Sequence, residues 1–275
     1  MAASTELHAP IQAALQCITS PSPPGMIQQA QAALLQWEET HTDQYVVSLI
    51  SLVGETSSAI TVEIDASATA TLRLAAVLTL KAAIVRRWKD KGRGKVGAQK
   101  NLLTEGVKVL TRQSLLNLVL TGKVEGQNNQ TSFITNPNEI TSQQLELIQD
   151  CPLQTNAASL LSKVARMDLP LKWHELIPTL VEGVKCAQGI VHQIKQQPQS
   201  QQMQQHQQIF QTILYNTMNS LEAVLSKIST QRLLVDKKHR NSIALQHLGA
   251  IVWETITTFP LHCNMPRLHH ELFLT

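Results

Sequence analysis

The stretch ARMDLPLKWHELIP, residues 165–178, stops one apolar helical run and starts another almost at once. Pro170 disfavours helical backbone at Leu169, the residue before it. Proline is also tolerated in the first turn of a helix, where the N–H it lacks would go unpaired anyway. Asp168 is placed to accept hydrogen bonds from the open N–H groups of a helix beginning near 171. Trp173 stands one turn before Ile177, where it can cover a hinge. Pro178 falls inside the new helix and is expected to kink it. The stretch therefore reads as the turn between helices of stacked hairpins, not as a catalytic element.

Working outward, apolar residues recur at helical spacing along most of the chain, and only GETSSAITVEID, residues 54–65, has a β-like run. Helices are expected near 4–18 and 24–39, separated by SPSPPG, where Pro24 and Gly25 punctuate. A third is expected over 42–53, and a long one over 66–89 with the stripe Leu74, Val77, Leu78, Ile84, Val85 and Trp88. Further helices are expected over 97–120, 142–150, 152–168, 171–186, 207–229 and 233–258. Thr141-Ser142-Gln143-Gln144 has capping-box spacing ahead of the short one. Residues 121–138 form a polar insert. Residues 196–208 hold nine glutamines in thirteen, a linker or the solvated start of the next helix. Residues 259–275 show no clear pattern.

The helices pair as 4–39, 42–89, 97–168, 171–229 and 233 onward. With the insert and the glutamine tract subtracted, the period approaches ~40–47 residues, the spacing of HEAT and armadillo repeats. The expected fold is all-α: a right-handed superhelical solenoid of about five HEAT-type hairpins, each burying its apolar face on its neighbours.

Bulk properties agree with this and exclude other classes. The chain has 275 residues, 43% hydrophobic but only 4% aromatic, which suits helices better than a β-sandwich. A net charge of +3 does not call for nucleic acid. Cys17, Cys151, Cys186 and Cys263 are scattered without a CxxC, and reduced, mostly buried thiols of an intracellular protein are expected. The N-terminus lacks the pattern of a secretory signal. No apolar run is expected to reach the ~20 residues that span a bilayer.

LLSKVARMDLPLKWHELIPTL (160–180) resembles a segment that recurs in the importin-β superfamily of nuclear transport receptors. LRLAAVLTLKAAIVRRWKD (72–90) resembles the end of that family's N-terminal domain, and STQRLLVDKKHR (229–240) resembles a stretch of its importin eleven branch. All three stand in the family's order. The resemblance implies an importin N-terminal domain over 1–90 with the first two repeats, and further repeats over 91–258 carrying the inserts 121–138 and 196–208. It also implies binding of the small GTPase Ran in its GTP form, protein cargo, contact with nuclear pore proteins, and residence in nucleus, cytoplasm and nuclear envelope. No cofactor and no catalysis are implied. A helical-repeat scaffold that binds peptides and ignores Ran is the other reading.

In the family, Ran is bound by second helices of the pairs, which here would be 24–39, 66–89 and 152–168. Lys81, Arg86, Arg87, Lys163 and Arg166 are the candidate contacts that the resemblance implies. Any one of them also fits a solvated charge on a helix face. Asp168, Pro170, Trp173 and Pro178 are structural hinge residues. RRWKDKGRGK, 86–95, has six Lys/Arg in ten positions, but lacks interleaved stacking aromatics and reads as a solvated loop. GRGKVG is not a phosphate-binding loop. His262, Cys263, His269 and His270 match no zinc spacing, so no metal site is expected.

Overall fold

Helix punctuation sets the order of elements in the computed structural model, which describes residues 7–55, 66–89, 101–124, 133–136, 139–169, 172–196 and 201–229. These residues form α1 (His8–Thr19), α2 (Pro24–Thr40), α3 (Thr42–Gly54), α4 (Ala66–Arg87), α5 (Glu105–Thr121), α6 (Ser142–Gln149), α7 (Cys151–Asp168), α8 (Leu176–Lys195) and α9 (Gln201–Ser229). No strand occurs among the described residues. The chain divides into two units at Leu160 and Leu161, inside α7.

In the first unit, α1 packs on α2 and α3 packs on α4 as hairpins, and α3 and α4 both pack on α1. Pro24 occupies the first position of α2, as the punctuation predicts. The core is made by Ile11 and Leu15 of α1, Tyr45, Leu49 and Leu52 of α3, and Leu80, Ile84 and Trp88 at and beyond the end of α4, all essentially inaccessible to water. Each such side chain contributes about 1.5–3 kcal/mol through burial.

The stripe expected on α4 is rotated. Leu78 and Val85 are exposed, and the buried face is Leu72, Ala76, Val77, Leu80, Ala83, Ile84 and Trp88. The chain is apolar almost all round this helix, so periodicity alone does not say which side is covered. The same property makes Ser67–Arg87 long and apolar enough to cross a membrane by length and composition, contrary to the expectation that no run reaches that length. Its inward side chains fill the core of the hairpin, as in a core helix.

Residues 101–104 are outside any helix, and α5 begins at Glu105, not near 97. Neighbouring elements claim this segment's polar groups. Asn101 donates to the Glu39 carbonyl (2.8 Å), the Leu103 N–H to the Arg87 carbonyl (3.1 Å), and the Thr104 N–H to Asp43 Oδ1 (3.1 Å). At its other end α5 stops on Gly122, whose φ of 63° is left-handed and whose N–H bonds the Leu118 carbonyl. The capping box opens α6 as the sequence predicts: the Gln144 N–H donates to Thr141 Oγ1 and the Thr141 N–H to Gln144 Oε1. Asp150 caps α7 by accepting from the Leu153 N–H at 3.0 Å.

In the second unit, α8 and α9 form a close hairpin around Leu176, Ile177, Leu180, Val184, Phe210, Ile213, Leu221 and Val224. Glutamines from 201 onward are the solvated start of α9. The opening stretch is corrected in detail. α7 does end at Asp168, but α8 starts at Leu176 with Glu175 at its N-cap. Asp168 stands eight residues ahead of α8, and its carbonyl accepts the Lys172 N–H. Pro178 lies in the first turn of α8, where its missing N–H would have no intrahelical partner, so it does not act as an interior kink. Trp173 is buried just ahead of α8. Pro170, residues 56–65 and 90–100, the helix expected over 233–258, Cys263 and the histidines of the last stretch lie outside the described residues. Of the described cysteines, Cys151 is exposed and Cys17 and Cys186 are half-buried, not mostly buried as expected; all three are free thiols.

Candidate interaction surface

The end of α4 and the junction of α2 with α3 meet at one carboxylate. Glu38 of α2 is 1% exposed, and a carboxylate there must be paired. Arg86 Nε donates to Glu38 Oε1 at 2.8 Å, with a second bond from its other nitrogen to Oε2, a two-pronged grip. Arg87 Nε donates to Oε1 at 3.1 Å. Burial pushes the Glu38 carboxyl up, but the hydrogen bonds and charges of the two arginines outweigh it and hold it below the usual carboxylate range. The bond to Glu38 in turn raises Arg86. Burial first, and then the Glu38 charge, pushes the nearby Tyr45 hydroxyl well above its ordinary value.

Outside this clamp, α4 presents Thr71, Leu78 and Val85 to solvent, with exposed Lys89 just past its end, and α2 presents Gln28, Gln29, Leu35 and Glu39. The surface is mixed, with apolar side chains between basic ones. Lys81 is half-buried, and its Nζ donates to Ser159 Oγ of α7 at 2.9 Å. Arg86 is roughly half exposed while it holds Glu38, and Arg87 is buried. Lys163 is half-buried and Arg166 exposed, both on the second half of α7, in the second unit. The five candidate residues therefore fall into groups with different surroundings. Lys81, Arg86 and Arg87 lie on the last two turns of α4, each tied to a neighbouring helix.

Sequence reasoning missed the partner of the arginine pair, because Glu38 is 48 and 49 residues away. It also missed Arg73, an apparent polar interruption of an apolar helix. Arg73 is 2% exposed and bonds Glu146 and Asp150. Arg112 of α5 lies over the Trp88 ring at 5.7 Å. An arginine inside an otherwise apolar helix was the available signal for the Arg73 node.

Among the described residues, no group of histidine, cysteine and carboxylate side chains could hold a metal ion. What the geometry offers is packed helical hairpins with a mixed basic and apolar helix face, consistent with an all-α helical-repeat fold. A sequence model of the importin-beta N-terminal domain matches residues 30–121, from within α2 to the end of α5. Residues 30–121, about a third of the chain, are thus similar to the N-terminal domain of the importin-β family. It is 49% identical over 53 residues to Importin-11 of Mus musculus, a match that covers 19% of this chain and 4% of that protein. No solved structure matches.

Proposed function

We propose that the chain acts as a nuclear transport receptor, or as part of one, that binds Ran in its GTP form and takes part in nucleocytoplasmic protein import. The observation that supports this best is that the family match covers α2 to α5 and so includes the Glu38 clamp and the outward face of α4. In this reading α2, α4 and α7 each carry GTPase contacts: Lys81 and Arg86 in the first unit, where Arg87 holds α4 in place, and Lys163 and Arg166 in the second. Protein cargo and nuclear pore proteins are the other partners, and the protein moves between cytoplasm and nucleus through the nuclear envelope. Its hairpins stack as HEAT-type repeats in a right-handed superhelix. It acts by binding alone: Ran and cargo each favour a different shape of the repeats, so that each alters the affinity for the other.

The test is capture of Ran locked in its GTP and GDP forms by the full chain. Retention of the GTP form alone is the expected result, and equal or absent retention of both overturns the reading. Lys81→Glu with Lys163→Glu should weaken capture while leaving the helical signal intact. Reversing Arg87 is a poor probe, because it would place a second negative charge beside buried Glu38. A repeat scaffold indifferent to Ran would bind peptide equally well with and without these substitutions.

A further inference from the structure

Arg73 belongs neither to the proposed binding face nor to the Glu38 clamp, yet its guanidinium is bonded to three different residues. It sits on the second turn of α4, almost wholly buried. Its Nη1 donates to Glu146 Oε1 of α6 at 2.6 Å and to the Glu55 carbonyl beyond α3 at 3.2 Å. Its Nε and Nη2 both donate to Asp150 Oδ2, at 3.3 and 3.1 Å. Asp150 is itself the cap of α7, through Oδ1. Glu55 Oε1 lies 2.9 Å from His8 Nε2 of α1. One guanidinium thus ties the end of α3 to α6 and to the first turn of α7. About two turns further along α4, Lys81 makes a second polar bridge, to Ser159 of α7.

The backbone of α4 packs chiefly against α3 and α1. Arg73 and Lys81 reach from it to α6 and α7. Apolar packing is non-directional and tolerates small slides, whereas a guanidinium with fixed donor directions does not. We infer that Arg73 is the latch of a polar joint between the α3–α4 hairpin and the α6–α7 segment: it fixes their register, and its release lets them shift against each other while each stays folded.

The experiment places spin labels on the full chain as encoded residues, leaving the native cysteines alone. One pair, at Thr71 and Thr155, spans the joint; a control pair, at Ser51 and Thr71, lies within the hairpin, and all three positions are exposed. Arg73→Met removes every donor and keeps much of the side chain's length. Arg73→Met with Glu146→Gln and Asp150→Asn removes the charges as well, so that no buried carboxylate is left uncompensated, and the amide oxygen introduced by Asp150→Asn can still cap α7. In either variant that folds, the distance distribution across the joint should broaden while the control stays narrow. Amides of α6 and of the first turn of α7 should exchange about tenfold faster or more, with α3 unchanged. Arg73→Lys, which keeps the charge without the fork, should fall between. Unchanged distributions for both pairs overturn the latch. Equal broadening of both pairs, or faster exchange throughout the first unit, also overturns it by making Arg73 a general stabiliser.

Discussion

At the scale of single residues, Glu38 carries the sharpest consequence. Its carboxyl is held below the usual range in the folded chain, so the folded state binds its proton less readily than the unfolded state does. Its stabilising contribution is therefore complete above the ordinary value of 4.5 and is lost as pH falls through the lower folded value. Glu38→Gln should flatten the acid limb of stability against pH. Urea unfolding of the two proteins at pH 7 and near pH 3 measures this: the gap between them at pH 7 should shrink on acidification. Gly122 is a second such residue. Its backbone is left-handed, and a Cβ there would stand 2.6 Å from the Gln144 carbonyl oxygen and 2.8 Å from Ile148 Cγ1. Gly122→Ala should cost about 1–3 kcal/mol, read as a lower urea midpoint with unchanged slope.

At the scale of elements, the sequence was most legible where local chemistry decides. The capping box at Thr141 and Gln144, the proline at the start of α2, and the stop of α7 at Asp168 are set by residues close together in the chain, and all three appear as read. What local pattern misplaced was decided from a distance. The start of α5 is delayed because Asp43, Glu39 and Arg87 bond the polar groups of residues 101–104. The covered side of α4 is chosen by α3 and α1, not by its own spacing. Pro178 was correctly seen as a constraint, but a five-residue error in the start of the expected helix moved it from the interior to the first turn. Of the candidate surface, the basic character of the end of α4 was legible. The division of labour within it was not, because it depends on Glu38, nearly fifty residues earlier. Arg87, read as an exposed contact or a solvated charge, is buried.

At the scale of the molecule, the two units have their own cores, and repeat architectures distribute stability over nearest neighbours. Damage to one core should therefore be felt mainly near it. Leu180→Ala empties a fully buried site of α8 and should cost about 2–5 kcal/mol. Amide exchange should then accelerate first in α8 and α9, with α1 and α2 affected far less. Uniform acceleration along the chain would show that the units unfold as one.

The order in which the chain is made bears on Arg73 as well. Its carboxylate partners lie 73 and 77 residues downstream. At ordinary synthesis rates, about 5–20 residues per second, they follow roughly 4–15 s later. For that interval Arg73, on an otherwise apolar stretch of α4, lacks both of its carboxylate partners. The first two hairpins can fold as they leave the ribosome, but their attachment to α6 and α7 must await Glu146 and Asp150. The counter-charges of Arg73 thus belong to a piece of chain made later than the hairpin that carries it.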